Sequence, residues 1–273
     1  MALLQQTSQA TGSQETITVA LIAVAIGVAA GLLFSVFPTL DIAASRLFHG
    51  QDGFALNAGF WRVLRIIFLR GYTVWYVVIV VAGIAAARLD KPVLGLDWLR
   101  WLYLGLCSLI GPLLLTNIIL KEHWGRWRPR EIIELGGTEN FTSVFNPTGT
   151  CLDNCSFASG EVSSMVMIFA ALAFVSVRWR PMFWLMTVVM GLLSAVLRVG
   201  QGGHFLSDTI FAGVFMVLVA AGLYWAVYLS PYALAGETKR REMEAKLLAT
   251  HDGFWEKVCR RGLDWLDGIA PRR

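Results

Sequence analysis

Charge is scarce in this chain and missing from long stretches of it: Asp, Glu, Lys and Arg make up 15% of 273 residues, against 56% hydrophobic. That shortage excludes an ordinary soluble domain, in which about a quarter of the residues are charged. Lys and Arg are also absent from positions 1–16. The first apolar run therefore lacks the basic n-region of a cleaved signal peptide and is too long for its h-region, so it is expected to stay as an anchoring helix. Cysteine is rare, with four residues; the pair Cys151 and Cys155 lacks the neighbouring ligands that a metal site needs. There is no low-complexity tract and no internal repeat. The net charge of +4 does not point to nucleic acid, because Lys and Arg lie in links between apolar runs rather than on one soluble face.

Six charge-free apolar runs fill the space instead: residues 17–37, 71–87, 101–120, 162–177, 181–197 and 209–236, the last interrupted near its end by Pro231. A spanning helix needs roughly 17–25 such residues; the run at 162–177 falls one short, and its flanks complete it. The reading is an all-α integral membrane protein, with six transmembrane helices in one domain over residues 1–236. Residues 41–60 have mixed polarity and are expected to form a partly interfacial loop. The tail, 237–273, carries Trp255, Val258, Cys259, Gly262 and Leu266 at helical spacing, with Lys257, Arg260 and Arg261 between them. That pattern fits a basic amphipathic helix on an anionic membrane surface, or a solvated tail helix.

The remaining polar residues sort to one side. Lys121 ends the third run, Glu161 begins the fourth, Arg198 ends the fifth and Asp208 begins the sixth. Successive helices cross in opposite directions, so all four fall on one membrane face. Lys and Arg near the membrane number nine on each face; without Lys121, Arg128 and Arg198, which belong to the polar cluster itself, the count is nine against six. The positive-inside rule then puts the tail in the cytoplasm and the polar cluster outside.

Three motifs make up that cluster. Lys121 and Arg128, six residues apart and followed by Pro129, offer a point charge and a bidentate fork to the oxygens of a phosphoryl group. Basic residues also flank membrane helices as snorkelling anchors, and Arg126, Arg130 and His123 cannot be told from headgroup contacts by spacing. Ala158-Ser159-Gly160-Glu161 runs straight into an apolar helix, whose free N–H groups and positive dipole end bind anions. Gly160 allows close approach, and Ser159 can cap the helix and donate a hydroxyl. Arg198 is followed by a Gly-rich reversal, then His204 and Asp208 at i, i+4, within reach of a carboxylate–imidazole hydrogen bond.

Lys-x6-Arg-Pro, a Ser-Gly step and Arg-x5-His-x3-Asp, in that order and on six helices, resemble the type-2 phosphatidic acid phosphatase family of membrane lipid phosphatases. The resemblance covers the core from 121 to 208. It implies that His204 is the nucleophile, forming a phosphohistidine that water hydrolyses. Asp208 would orient it, and Lys121, Arg128, Arg198 and the backbone at Ser159 and Gly160 would hold the phosphate. No cofactor and no metal are implied. Two positions depart from the pattern. Leu197 replaces a Ser before Arg198, and Glu161 replaces the His that would protonate the leaving oxygen, so Glu161 is the candidate general acid, with His123 the next. Ser-Gly-Glu preceded by Cys-Ser-Phe, and Phe-Pro-x-Leu-Asp at 37–41, are similar to a bacterial subgroup that includes lipid A phosphatases. If the site faces an oxidising compartment, Cys151 and Cys155 can form a disulfide.

These readings lead to a lipid phosphatase of a bacterial inner membrane, acting on a lipid A-type phosphate from the periplasmic face. Its partners are the bilayer and the lipid phosphate substrate. Undecaprenyl diphosphate and phosphatidylglycerol phosphate are alternative substrates, and transfer of the phosphoryl group to a lipid or sugar hydroxyl is an alternative outcome. Arg46, Arg62, Arg65 and Arg70 add positive charge on the site face, which suits a headgroup with several phosphates. A transporter would place ionisable residues near the midplane, where this chain has none. An inactive lipid-binding relative is suggested only by Glu161.

Overall fold

The computed structural model describes residues 2–146 and 150–233. The amphipathic tail expected at 237–273 lies outside the described residues. The chain divides into units at Met1–Trp225 and Ala226–Arg273, and the polar cluster lies in the first.

The elements are α1 (Ala2–Val36), α2 (Leu40–Arg46), a two-residue hairpin β1 (His49–Gly50) with β2 (Gly53–Phe54), α3 (Gly59–Leu89), α4 (Trp98–Ser108), a π-helical segment Leu109–Leu120, α5 (Lys121–His123), α6 (Gly160–Val175), α7 (Arg180–Gly200) and α8 (Leu206–Tyr224). Among the described residues, five helices are long and apolar enough to cross a membrane: Gly12–Val36, Gly59–Leu89, Trp98–His123, Arg180–Gly200 and Leu206–Ala233. The sixth expected span, α6, has 16 residues, about 24 Å at 1.5 Å per residue and shorter than a hydrocarbon layer of about 30 Å. It is the central helix, packed against α3, α4, the π segment, α7 and α8. Twelve of its residues are buried, which lets it carry Ser163 and Ser164 on faces that never meet lipid. Valines, leucines and isoleucines on the outer faces of α1, α3 and α7, such as Leu21, Val80 and Leu192, stay exposed. These are the surfaces a bilayer would cover.

Pro112 explains the π segment. Proline has no N–H to give and crowds the carbonyl four residues back, so the helix widens there. The Pro112 carbonyl accepts a hydrogen bond from Asn117 Nδ2 at 2.7 Å, and the Lys121 N–H reaches back five residues to Thr116.

The residues expected to form an interfacial loop at 41–60 contain α2, the hairpin and a 3-10 turn at Ala55–Asn57. With the loop after α5 they make a second, smaller core, in which Ile42, Phe54, Ile132, Leu135 and Phe205 pack together. Gly202, at φ +62, has a Phe54 ring carbon only 2.4 Å from where a Cβ would stand. That layer presses on the α7–α8 turn and fixes it over the ends of the helices.

Candidate active site

The α7–α8 turn is built around a folded-back arginine. The Arg198 carbonyl accepts from the N–H groups of Gly203, at 2.9 Å, and His204, at 3.3 Å. A Cβ on Gly203 would lie 2.3 Å from Arg198 Nη2, so only glycine leaves room for the guanidinium. Arg198 is buried, and its Nη1 donates to Gln201 Oε1 at 3.0 Å. Among the described residues its buried Nε has no hydrogen-bond partner, and neither has the buried Oγ of Ser159. Each buried donor left open costs free energy unless an acceptor arrives; a phosphate oxygen is such an acceptor.

Ser159 is the N-cap of α6, but its hydroxyl makes no capping bond, in contrast to the capping role its type suggests. At Gly160 a Cβ would stand 2.6 Å from Asn117 Oδ1 and 3.2 Å from Lys121 Nζ. The ammonium of Lys121 therefore lies against the start of α6, where the backbone N–H groups also point. Arg128 follows in the loop after α5. Its Nε and Nη2 donate to the Asn154 carbonyl at 3.0 and 2.6 Å, and Nη2 to Asn154 Oδ1 at 2.5 Å. Burial, then the neighbouring Arg130, push its proton affinity down from the ordinary value. Cys151 and Cys155 are bridged across the loop that presents Asn154, and this loop pairs with the segment before Arg128, Cys151 N donating to Gly125 O and Ser156 N to Arg126 O, at 3.1 and 2.7 Å.

His204 is buried, with Nδ1 2.6 Å from the Ser156 carbonyl. A carbonyl can only accept, so the neutral ring carries its proton on Nδ1 and keeps the Nε2 lone pair free. Burial, then the charges of Arg198, Arg128 and Lys121, hold the imidazole well below its usual range. The expected hydrogen bond to Asp208 is not made: Nδ1 and Asp208 Oδ2 are 4.0 Å apart. Asp208 sits in the first turn of α8, where its Oδ2 accepts from Phe205 N at 2.9 Å and from Ser156 Oγ at 2.5 Å. It acts on the ring through Ser156, whose carbonyl holds the imidazole and whose hydroxyl holds the carboxylate.

Glu161 faces two cations. Its Oε1 is 2.9 Å from both Nε and Nη2 of Arg65 and 3.4 Å from Arg198 Nη1. Of the four arginines proposed to add positive charge, Arg65 is the one that turns inward; Arg46, Arg62 and Arg70 are exposed. His123 is exposed and hydrogen-bonds the Ile119 carbonyl of its own helix at 2.8 Å.

Spacing alone did not pick out Arg126, yet it is fully buried. It pairs with Asp208 Oδ1, donates to Asp41 Oδ2 at 2.7 Å and to Ser207 Oγ at 2.8 Å, and lies 4.2 Å over the Phe205 ring. Asp41, from the Phe-Pro-x-Leu-Asp stretch, accepts from Ser207 N and Oγ at 2.8 and 2.6 Å.

A cavity of about 510 Å³ opens beside Lys121, Gly160 and Glu161 and runs between α3, the π segment and α6 past Tyr72, Tyr76 and Asn117. It gives a substrate limb a path from the polar cluster into the apolar layer.

The chain matches the model of the PAP2 superfamily over residues 100–231. It is 34% identical over 206 residues to the lipid A 4'-phosphatase of Rhizobium etli, covering 70% of this chain and 80% of that one. It is 29% identical over 208 residues to the lipid A 4'-phosphatase of Francisella tularensis subsp. novicida, covering 74% and 91%. Among solved structures, a PAP2-type phosphatidylglycerolphosphate phosphatase from Bacillus subtilis aligns with a TM-score of 0.49 at 19% identity, covering 80% of this chain and 98% of that one. The chain belongs to the PAP2 superfamily.

Proposed function

We propose that this membrane lipid phosphatase removes a phosphate from a lipid A-type molecule, with His204 as nucleophile. The observation that carries the reading is the Ser156 carbonyl fixing the proton on Nδ1, which leaves Nε2 as the nucleophilic atom among Lys121, Arg128 and Arg198. The lipid A assignment rests on the relatives, which carry that activity in their names.

In the first step Nε2 attacks phosphorus and the bond from phosphorus to the lipid oxygen breaks. Arg198, Arg128, Lys121 and the start of α6 hold the oxygens on which charge gathers. The ring becomes a phosphoimidazolium whose Nδ1–H still donates to the Ser156 carbonyl oxygen. Glu161, a carboxylate beside Arg65 and Arg198, takes the proton of the arriving phosphate monoester monoanion and gives it to the leaving oxygen as that bond breaks. In the second step Glu161 accepts a proton from water as water attacks phosphorus. The P–N bond breaks, and inorganic phosphate and neutral His204 are restored. The site faces the periplasm of a bacterial inner membrane, as the asymmetry of Lys and Arg favours.

The test is a panel of radiolabelled lipids with the purified protein: lipid A, phosphatidylglycerol phosphate and undecaprenyl diphosphate. Lipid A should release phosphate fastest, and acid-labile, base-stable phosphate should be trapped on the chain. A preference for either other lipid overturns the substrate; release without such a phosphoenzyme overturns the mechanism.

A further inference from the structure

Three charged groups lie buried on the Nδ1 side of His204, and only Asp208 has been given a part so far, through Ser156. Asp41, Arg126 and Asp208 have side chains that are 0–1% exposed. Arg126 bridges the two carboxylates, with Nη1 on Asp208 and Nη2 on Asp41, and its Nε donates to the Thr142 carbonyl at 3.0 Å. The Phe205 and Phe141 rings flank the guanidinium at 4.2 and 5.6 Å.

The charge balance matters more than the number of bonds. Arg126 and Asp208 alone would be a neutral pair and would offer little to a ring that turns positive when Nε2 takes the phosphoryl group. Asp41 takes one arm of the same guanidinium, and the buried trio then carries one net negative charge. It lies on the Nδ1 side of the ring, where Asp208 Oδ2 is 4.0 Å away, and its charge is opposite to that of the phosphate-binding cations. The charged groups around His204 are Arg198 on α7, Lys121 on α5, Arg128 in the loop that follows and Asp208 on α8. Glu161 of α6 and Arg65 of α3 reach the ring's surroundings through Arg198. Every cation in that set opposes a positive ring, so an excess of negative charge beneath it has to be supplied from another element.

Asp41 also holds the turn itself. Its Oδ1 accepts from the Ser207 N–H, one of the free donors at the start of α8, and its Oδ2 from the Ser207 hydroxyl. It therefore ties α2 to the turn that carries His204 and Asp208, across more than 160 residues of sequence.

We propose that Asp41 is a positioning residue for the nucleophile, which acts through Arg126 and Ser207 to keep Asp208 in place and to leave net negative charge beneath His204. The proposal rests on His204 being the nucleophile.

The experiment compares Asp41→Asn, Asp41→Glu and Ser207→Ala in the full-length protein in detergent micelles, with rapid-quench measurement of phosphoenzyme formation from lipid A. Asp41→Asn should lower kcat by about 30-fold, with KM for the lipid within about threefold, and move the acid limb of kcat/KM down by about one pH unit. Loss of one buried charge near the ring has an effect of that order. Asp41→Glu should return the limb to its original place and recover part of kcat. Ser207→Ala removes a hydrogen bond without changing charge and should leave the limb unmoved. If Asp41→Asn fails to fold, Asp41→Ser, which is smaller and still polar, takes its place with the same expected shift. An unmoved limb in the neutral variant, or a limb moved equally by Ser207→Ala, overturns the proposal. Absence of a phosphoenzyme in the wild-type protein overturns the nucleophile assignment instead.

Discussion

His204 Nδ1 lies 2.6 Å from the Ser156 carbonyl oxygen and 4.0 Å from the Asp208 carboxylate. The proposed nucleophile is thus held by a backbone oxygen, and the carboxylate reaches it only through Ser156. Burial and three surrounding cations lower the proton affinity of the ring. The neutral form needed for attack therefore persists as pH falls through 6.5, and the acid limb of kcat/KM should lie well below that value. Stability carries the same sign. A histidine whose folded pKa is depressed binds its proton more readily in the unfolded chain, so its contribution is full above about 6.5 and is lost as pH falls towards the folded value. The Tm of the wild-type protein should drop between pH 7 and pH 5, and His204→Gln should flatten that drop. An equal drop in the variant would assign it to other groups.

The loop Cys151–Cys155 gives a second prediction. It presents Asn154 to Arg128 and ends next to Ser156, the residue that holds both His204 and Asp208. A bridge across so few residues is worth only about 2 kcal/mol through loop entropy, whereas a misplaced catalytic group loses activity steeply. Replacing both cysteines by alanine should therefore lower kcat/KM by about tenfold or more while Tm falls by only a few degrees. If activity is unchanged in the double variant, the bridge has no part in holding Arg128 and Ser156.

Parts of the site were legible in the sequence because their spacing is local. Lys121 with Arg128, and Arg198 with His204 and Asp208, each lie within one turn or helix end, where residue type and spacing set what can meet. Glu161 was placed by its neighbours Ser159 and Gly160. Arg126 and Asp41 were hidden for the opposite reason. They meet across 85 positions, and an arginine two residues from Arg128 at a membrane edge looks the same whether it faces headgroups or a buried carboxylate. The available signal was Asp41 itself, an acid in the apolar stretch after Phe37-Pro38 whose nearest cation in sequence is Arg46, five positions on. Helix α6 was legible as a charge-free run one residue too short; its shortness reflects a central position, where neighbouring helices rather than lipid cover it.

Gly203 supplies a test of the phosphate pocket that touches no charged residue. A Cβ there would meet Arg198 Nη2 at 2.3 Å and Cζ at 2.6 Å, so the guanidinium has to shift. Gly203→Ala should push it out of place by about an ångström, a displacement that can cost about 10²-fold. Gly222, with nothing within 4 Å of a Cβ, is the matched control, and Gly222→Ala should leave activity near wild type. Inhibition by inorganic phosphate should weaken in Gly203→Ala alone. Unchanged phosphate inhibition there would remove Arg198 from the phosphate site.

Glu161 carries the remaining prediction, because its two roles make opposite demands. Paired with Arg65 and Arg198, it is a carboxylate that holds the empty pocket together; as proton donor it must leave Arg198 when phosphate arrives. A donor matters in proportion to how poorly the leaving group departs. An alkoxide from a lipid sugar needs protonation, typically worth 10²–10⁴-fold, whereas an activated aryl oxide leaves with little help. Glu161→Gln should therefore slow a lipid phosphomonoester by at least about 10²-fold and an aryl phosphate far less, and Glu161→His should recover part of the loss on the lipid. Arg65→Gln gives the complementary reading. It frees the carboxylate from one partner without removing it, so it should change KM more than kcat and affect both substrates alike. If Glu161→Gln slows both substrates equally, the residue serves only to hold Arg65 and Arg198, and the leaving oxygen takes its proton from another group.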